Sequence, residues 1–168
     1  MAITDPGYRY WEQCNVQCST ARLSNANMLA YVDILSQPLT PLAHQDLENC
    51  HPWLLEGQKK ETLTINGGTG LCPKLLHMFG QITHLCVMLG KDPESTMLRH
   101  GADGVERVIM GIRQISDVSP GYPSAKSLLD ECVLNDIGQV ETEAEVINLT
   151  AEAWRQAALI YLRCRFFR

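Results

Sequence analysis

The feature that most constrains this chain is its last segment, from Thr142 to Phe167. Thr142 and Glu145 have the spacing of a capping box, in which a hydroxyl and a carboxylate satisfy N–H groups that a helix start leaves unpaired. Glu141, Glu143 and Glu145 crowd that end and Arg163, Arg165 and Arg168 the other, each set complementing the helix dipole it meets. Between them Leu149, Ala153, Ala157 and Ile160 form one apolar stripe, and Ile147, Trp154, Ala158 and Tyr161 form its neighbour. Glu152, Arg155, Gln156 and Arg163 are left as a narrow polar edge. A face this wide must be covered by other elements, so the segment predicts a helix central to its domain.

The rest of the chain supplies candidates to cover it. From Ser24, Met28, Tyr31, Val32 and Leu35 fall at helical spacing before Pro38 and Pro41. A short helix can begin near Pro41, with Leu42 and Leu47 apolar, and His51-Pro52 would end it. Pro73 suits a first helical turn. Leu75, Phe79, Ile82, Cys86 and Leu89 follow on one face, and Gly90 and Pro93 close the segment. Val105, Val108, Ile109, Ile112 and Ile115 make a further stripe, and Leu128, Leu129, Cys132 and Val133 a short one within 124–137. Residues 57–70, rich in Gly, Thr and Lys, read as a loop, with a scrap of strand at Leu63 and Ile65 as the alternative, and residues 1–22 as a poorly packed or partly helical lead-in. The expectation is one all-α domain over 1–168, an irregular array of about five to seven helices.

Charge and cysteine usage exclude several function classes. A net charge of −5 argues against a nucleic-acid surface, because Lys59-Lys60 and Arg163, Arg165, Arg168 are too few to form a phosphate-binding stripe. The N-terminus lacks the basic and apolar regions of a secretory signal, and no apolar run is long enough for a membrane span. Seven cysteines, an odd and unpatterned set, therefore read as reduced thiols.

No arrangement announces chemistry. Cys14 and Cys18 lack the second ligand pair of a structural zinc site, and His77 and His84 read as helix histidines, so no metal ligand is assigned. Gly67-Gly68-Thr69-Gly70 precedes a helix, but neither GxxxxGK[ST] nor GxGxxG is completed, so no phosphate or cofactor site is assigned. No GxSxG elbow is present, and a cysteine–histidine pair is defined by geometry rather than spacing. The cysteines read as buried thiols, and Glu143, Glu145 and Asp130-Glu131 as capping or solvated carboxylates. The expectation is a protein that is not an enzyme and has no catalytic residues.

Two stretches carry a resemblance. Gly70-Leu71-Cys72-Pro73 leading into KLLHMFGQITHLCVML, and AEAWRQAALIYLRCRFF from Ala151 to Phe167, resemble the fungal-specific transcription factor domain, the helical regulatory region of binuclear-zinc-cluster activators. Trp53-Leu54-Leu55-Glu56-Gly57 is similar to the family's segment upstream of its linker, so the resemblance spans roughly 50–168. It implies Cys72-Pro73 as a helix start and Trp154, Ala157, Ala158, Ile160 and Tyr161 as core, beside Phe79 and Ile82 from the helical stripe.

The family's six-cysteine cluster has no counterpart here, and its domain continues past the last helix. The chain is therefore expected to be a fragment, a degenerate copy or a stand-alone remnant. The expected function is a regulatory, protein-interaction module of the nucleus or cytoplasm, without direct DNA reading. A protein partner or self-association would serve it, or a small-molecule effector. Phe166 and Phe167 are expected exposed or loosely packed, at a face that further helices would cover, and the isolated chain marginally stable. The rival is a small helical enzyme or metabolite-binding protein of a fungal biosynthetic pathway, with His77, His84 and Cys86 as its available groups. A non-functional truncated product is the third reading.

Overall fold

A proline at the first helical position, where a missing N–H costs nothing, starts the helix around which the others are arranged. The computed structural model describes residues 20–39 and 51–166. In chain order these form α1 (Thr20–Ser36), a 3₁₀ turn (Gln37–Leu39), a second 3₁₀ turn (Pro52–Leu55), α2 (Lys59–Leu63), α3 (Pro73–Lys91), α4 (Thr96–Gly111), α5 (Ala125–Glu131) and α6 (Glu143–Phe166). Among the described residues extended pairing is limited to isolated bridges, and the fold is all-α. The helix expected near Pro41, with Leu42 and Leu47, lies outside the described residues.

The centre is α3 rather than the last helix. It buries Leu75, Leu76, His77, Met78, Phe79, Ile82, Thr83, Cys86 and Val87, much of its circumference. Around it pack α1, α2, the 3₁₀ turn Pro52–Leu55, α4 and α6. Leu54, Leu71, Leu75, Ile82, Ile109 and Leu162 are among the most completely buried apolar side chains of this core. A helix wrapped on several sides needs apolar groups beyond a single stripe, which is why α3 exceeds the face its periodicity outlines.

The other helices are rotated from their expected faces. α1 buries Ala30 and Ile34, with Tyr31 and Leu35 packed beside them, while Met28 and Val32 face outward. α4 ends at Gly111, so Ile112 and Ile115 belong to the strand-like passage that follows. There Ile115 pairs with the 63–65 segment, Ile65 N donating to Ile115 O (2.8 Å) and Ile115 N to Leu63 O (3.0 Å). The expected loop at 57–70 holds α2, whose first turn is closed by Gln58 N donating to Glu61 Oε2 at 2.7 Å.

On α6 the buried line is Asn148, Ala151, Arg155, Ala158, Leu159, Leu162 and Phe166. Ile160, expected in the core, is 61% exposed, which is a correction. It lies on the side of α6 away from both α3 and α4, and hydropathy cannot tell that side from the next stripe. Phe166 is also corrected, being buried at 6% exposure, and Phe167 lies outside the described residues. Cys72, Phe79, Ile82 and Ala158 are buried, Pro73 is half-buried at the first turn of α3, and Trp154, Ala157 and Tyr161 are half-buried against the core.

An aromatic group joins three helices. Trp154 of α6 meets Tyr31 of α1 and Phe79 of α3 edge to face, with ring centroids 5.9 and 6.0 Å apart, and Phe79 stacks on Tyr161 at 6.2 Å. Such pairs add roughly 0.5–1.5 kcal/mol beyond the area they bury. The Tyr161 hydroxyl and Thr83 Oγ1 lie 2.9 Å apart in a hydrogen bond between α6 and α3.

Arg155 is the plainest departure from the sequence pattern. Expected on the polar edge, it is 8% exposed. Its guanidinium grips Glu152 through Nε–Oε2 at 2.8 Å and Nη2–Oε1 at 2.6 Å, and Nη1 donates to Ile109 O and Met110 O at 3.5 and 3.4 Å. A cation is thereby set on the C-terminal carbonyls of α4, where the helix dipole favours it.

Trp154→Ala is expected to cost about 3 kcal/mol, since the ring serves three helices. Ile160→Ala is expected to cost less than about 0.5 kcal/mol, as at other exposed sites. Denaturant melts of the two variants check this, and equal losses would show that the faces of α6 are misassigned.

Candidate functional site

The start of α3 is where a helix could offer N–H groups to an anion, and it is already occupied by protein. Cys72 N donates to Gln114 Oε1 at 2.8 Å, and Gln114 Nε2 donates to Ala151 O of α6 at 2.5 Å. Gln114 is 7% exposed, so both bonds are made out of water. The glycine-rich turn before it is likewise closed on itself. Gly68 N donates to Asn66 Oδ1, and Thr69 N and Gly70 N donate to Asn66 O. Gly70 has a φ of +74° and lies so near α6 that a Cβ would stand 2.9 Å from Thr150 Cγ2. This turn is a packing joint and not a phosphate cradle.

Gln114 itself is held by the turn that follows it. Gly121 has a φ of +73°, and a Cβ there would run into the Gln114 carbonyl oxygen. Arg113 Nε and Nη2 donate to Gly121 O at 3.0 and 2.7 Å, which clamps the turn. Beside it a crevice is lined by Ile112, Gln114, Tyr122, Leu128, Asn148, Ala151 and Glu152. It has room for about one water molecule, far below what a metabolite requires.

The groups set aside for the enzyme reading all lie on α3. His77 is buried on α3, and burial pushes its pKa down. His84 lies two turns along the same helix and is half-buried. Burial raises the Cys86 thiol, with the Arg165 charge opposing it weakly. Cys72 is pushed up to about 11, again by burial, although it sits at a helix start that would otherwise favour the thiolate. Among the described residues no group of three or more His, Cys, Asp or Glu is placed to hold a metal ion, and Cys14 and Cys18 lie outside them.

What the sequence did not single out is a surface. The chain from Leu129 to Val146 leaves α5, turns back on itself and starts α6. Leu134 bridges Val140, Asn135 N donates to Gln139 O at 2.8 Å, and Asn135 Oδ1 accepts from Ile137 N and Gln139 N. Glu145 ties this turn to the helix. Its Oε2 accepts from Thr142 Oγ1 at 2.7 Å and its Oε1 from Val133 N at 3.0 Å, while Glu145 N donates to Thr142 Oγ1 at 3.2 Å. The expected capping box is therefore formed, and it carries an extra bond across to Val133.

On this frame Leu129, Val133, Leu134, Ile137 and Val146 are exposed by 63, 62, 58, 75 and 50%. Asp130, Glu131, Asp136, Glu141 and Glu143 are exposed among them. No Lys or Arg occurs from Ser127 to Trp154. The available signal is a run of interspersed apolar and acidic residues, which sequence pattern alone does not distinguish from capping and solvated carboxylates.

Comparison with known proteins identifies one likeness. The family model described as fungal specific transcription factor domain matches residues 9–168, starting well ahead of the motifs near residue 50. No curated protein and no solved structure matches the chain.

Two outcomes follow from this geometry. Gln114→Leu is expected to cost about 2 kcal/mol, because it leaves the buried Cys72 N–H without an acceptor. A denaturant melt unchanged by the substitution would show that the bridge contributes nothing. The Glu145 carboxylate is held below the usual range, first by the Thr142 hydroxyl and then by the Val133 N–H. Its stabilisation is therefore complete above the ordinary glutamate range and is lost as pH falls through the lowered value. Protection of the Val133 amide from exchange, relative to its intrinsic rate at each pH, should fall on acidification over that window, and Glu145→Gln should remove this change in protection.

Proposed function

Because the chain belongs to the fungal specific transcription factor domain family, we propose that it is a nuclear regulatory module that works through protein contacts. The family match over residues 9–168 is the observation that carries the reading. It supports a regulatory role, and the family is not an enzyme family. Contact with a protein is favoured over a buried effector by the surface. Five large apolar side chains between Leu129 and Val146 stand in solvent. Groups of exposed apolar residues rimmed by charge mark protein-binding surfaces. DNA reading is disfavoured by the net charge of −5. Among the described residues no helix is long and apolar enough to cross a membrane.

The test is a tethering assay. Fused to a heterologous DNA-binding domain in fungal cells, the chain should change reporter output severalfold relative to that domain alone. Output that stays at the level of the bare DNA-binding domain, with the fusion confirmed to be folded and nuclear, would sink the proposal.

A further inference from the structure

The charges of this chain are not evenly spread. All fourteen Lys and Arg lie outside 127–154, a stretch that holds seven acidic residues, so the rest of the chain is close to neutral and the net charge of −5 belongs to this one region. The same region presents Leu129, Val133, Leu134, Ile137 and Val146 to solvent. Their support is ordered: Leu128 of α5 is buried at 2% exposure, and the Glu145–Val133 bond holds the turn on α6. An apolar patch on a fixed frame, surrounded by one sign of charge, has the anatomy of a docking surface with a polar rim.

We infer that the surface of residues 129–146 docks a basic segment of another protein, one whose apolar side chains insert among these five and whose Lys or Arg meet the surrounding carboxylates. The inference rests on the protein-contact reading above and adds where the contact lies and what its partner is made of. Charge decides between possible occupants. A second copy of the chain placed symmetrically on this patch would bring two acidic rims together, and like charge across an interface opposes docking. Near the end of α6, Arg163 is engaged with Glu106 at 2.8 Å. Residues 1–19 and 40–50 hold Arg9 alone against Asp5, Glu12, Asp46 and Glu48, so they do not match the patch in charge. Nucleic acid and anionic lipid are repelled by the same carboxylates.

The proposal is tested by panning the full chain against a random peptide library. Enriched peptides are then resynthesised and measured free in solution. They should carry net positive charge with two or more large apolar residues, bind more weakly as salt is raised, and protect amides of 129–146 from exchange. Leu129→Ser and Ile137→Ser should each weaken binding about tenfold, as for central interface anchors, with thermal melting unchanged. Asp136→Lys combined with Glu141→Lys should weaken it and flatten the salt dependence. The inference is overturned if the enriched peptides are neutral or acidic, if none is enriched, if protection falls elsewhere, or if Ile137→Ser binds like the parent. It is also overturned if sedimentation shows a dimer that Ile137→Ser dissolves. Failure here with reporter regulation intact would remove this surface and leave the regulatory reading standing, whereas loss of regulation would remove the latter.

Discussion

The bond from Cys72 N–H to the Gln114 side chain, and from that side chain on to the Ala151 carbonyl, is the joint on which this fold turns. α3 is packed on several sides, so its N-terminal N–H groups cannot be left to water. A single amide side chain accepts from one of them, the Cys72 N–H, and at the same time grips the backbone of α6. Gln114 can reach both only because α4 stops at Gly111 and the chain then runs extended, paired at Ile115 with the segment that leads out of α2. The Gly121 turn, clamped by Arg113, backs this passage from behind. One local need, an orphan donor at a buried helix start, thus accounts for the placing of three otherwise separate stretches.

Polar groups do similar work elsewhere in the core. Arg155 is buried with its carboxylate partner on the same helix, and its remaining N–H groups reach the last carbonyls of α4. Removing one member of such a pair costs more than the pair contributes, because an unpaired charge remains behind. Thr83 and Tyr161 join α3 to α6 in the same way without charge. These contacts set the rotation of each helix about its axis, which apolar packing alone leaves loosely defined. The aromatic group of Tyr31, Phe79, Trp154 and Tyr161 then fills the angle between α1, α3 and α6.

Within the body Ser116 Oγ is buried without a hydrogen-bond partner, and the excess of acidic charge is concentrated in residues 127–154. The charged pairs of the body, Arg155 with Glu152 and Arg163 with Glu106, consume cations within the fold. The 129–146 surface has no Lys or Arg of its own, and its large apolar side chains are exposed among the described residues. Regulatory proteins act through such asymmetry, because an exposed patch with a distinct charge selects its partner both in steering and in register.

The helices themselves were legible in the sequence because their causes are local. Pro73 at a first turn and the Thr142–Glu145 box each act within a few residues, and both appear in the structure, whereas the stripe from Val105 to Ile115 leaves its helix at Gly111. The family signal was legible for the same reason, since it rests on contiguous stretches around Cys72 and Ala157. Tertiary structure alone decided which side of each helix faces inward. On α6 two neighbouring apolar stripes were available, and the packing of α3 and α4 buried Ala158, Leu159 and Leu162 while leaving Ile160 outside. It also drew Arg155 inward, because the partners that make its burial tolerable lie partly on another helix, forty-five and forty-six residues away. Periodicity reports how apolar a face is, but the burial of a side chain depends on what stands opposite it.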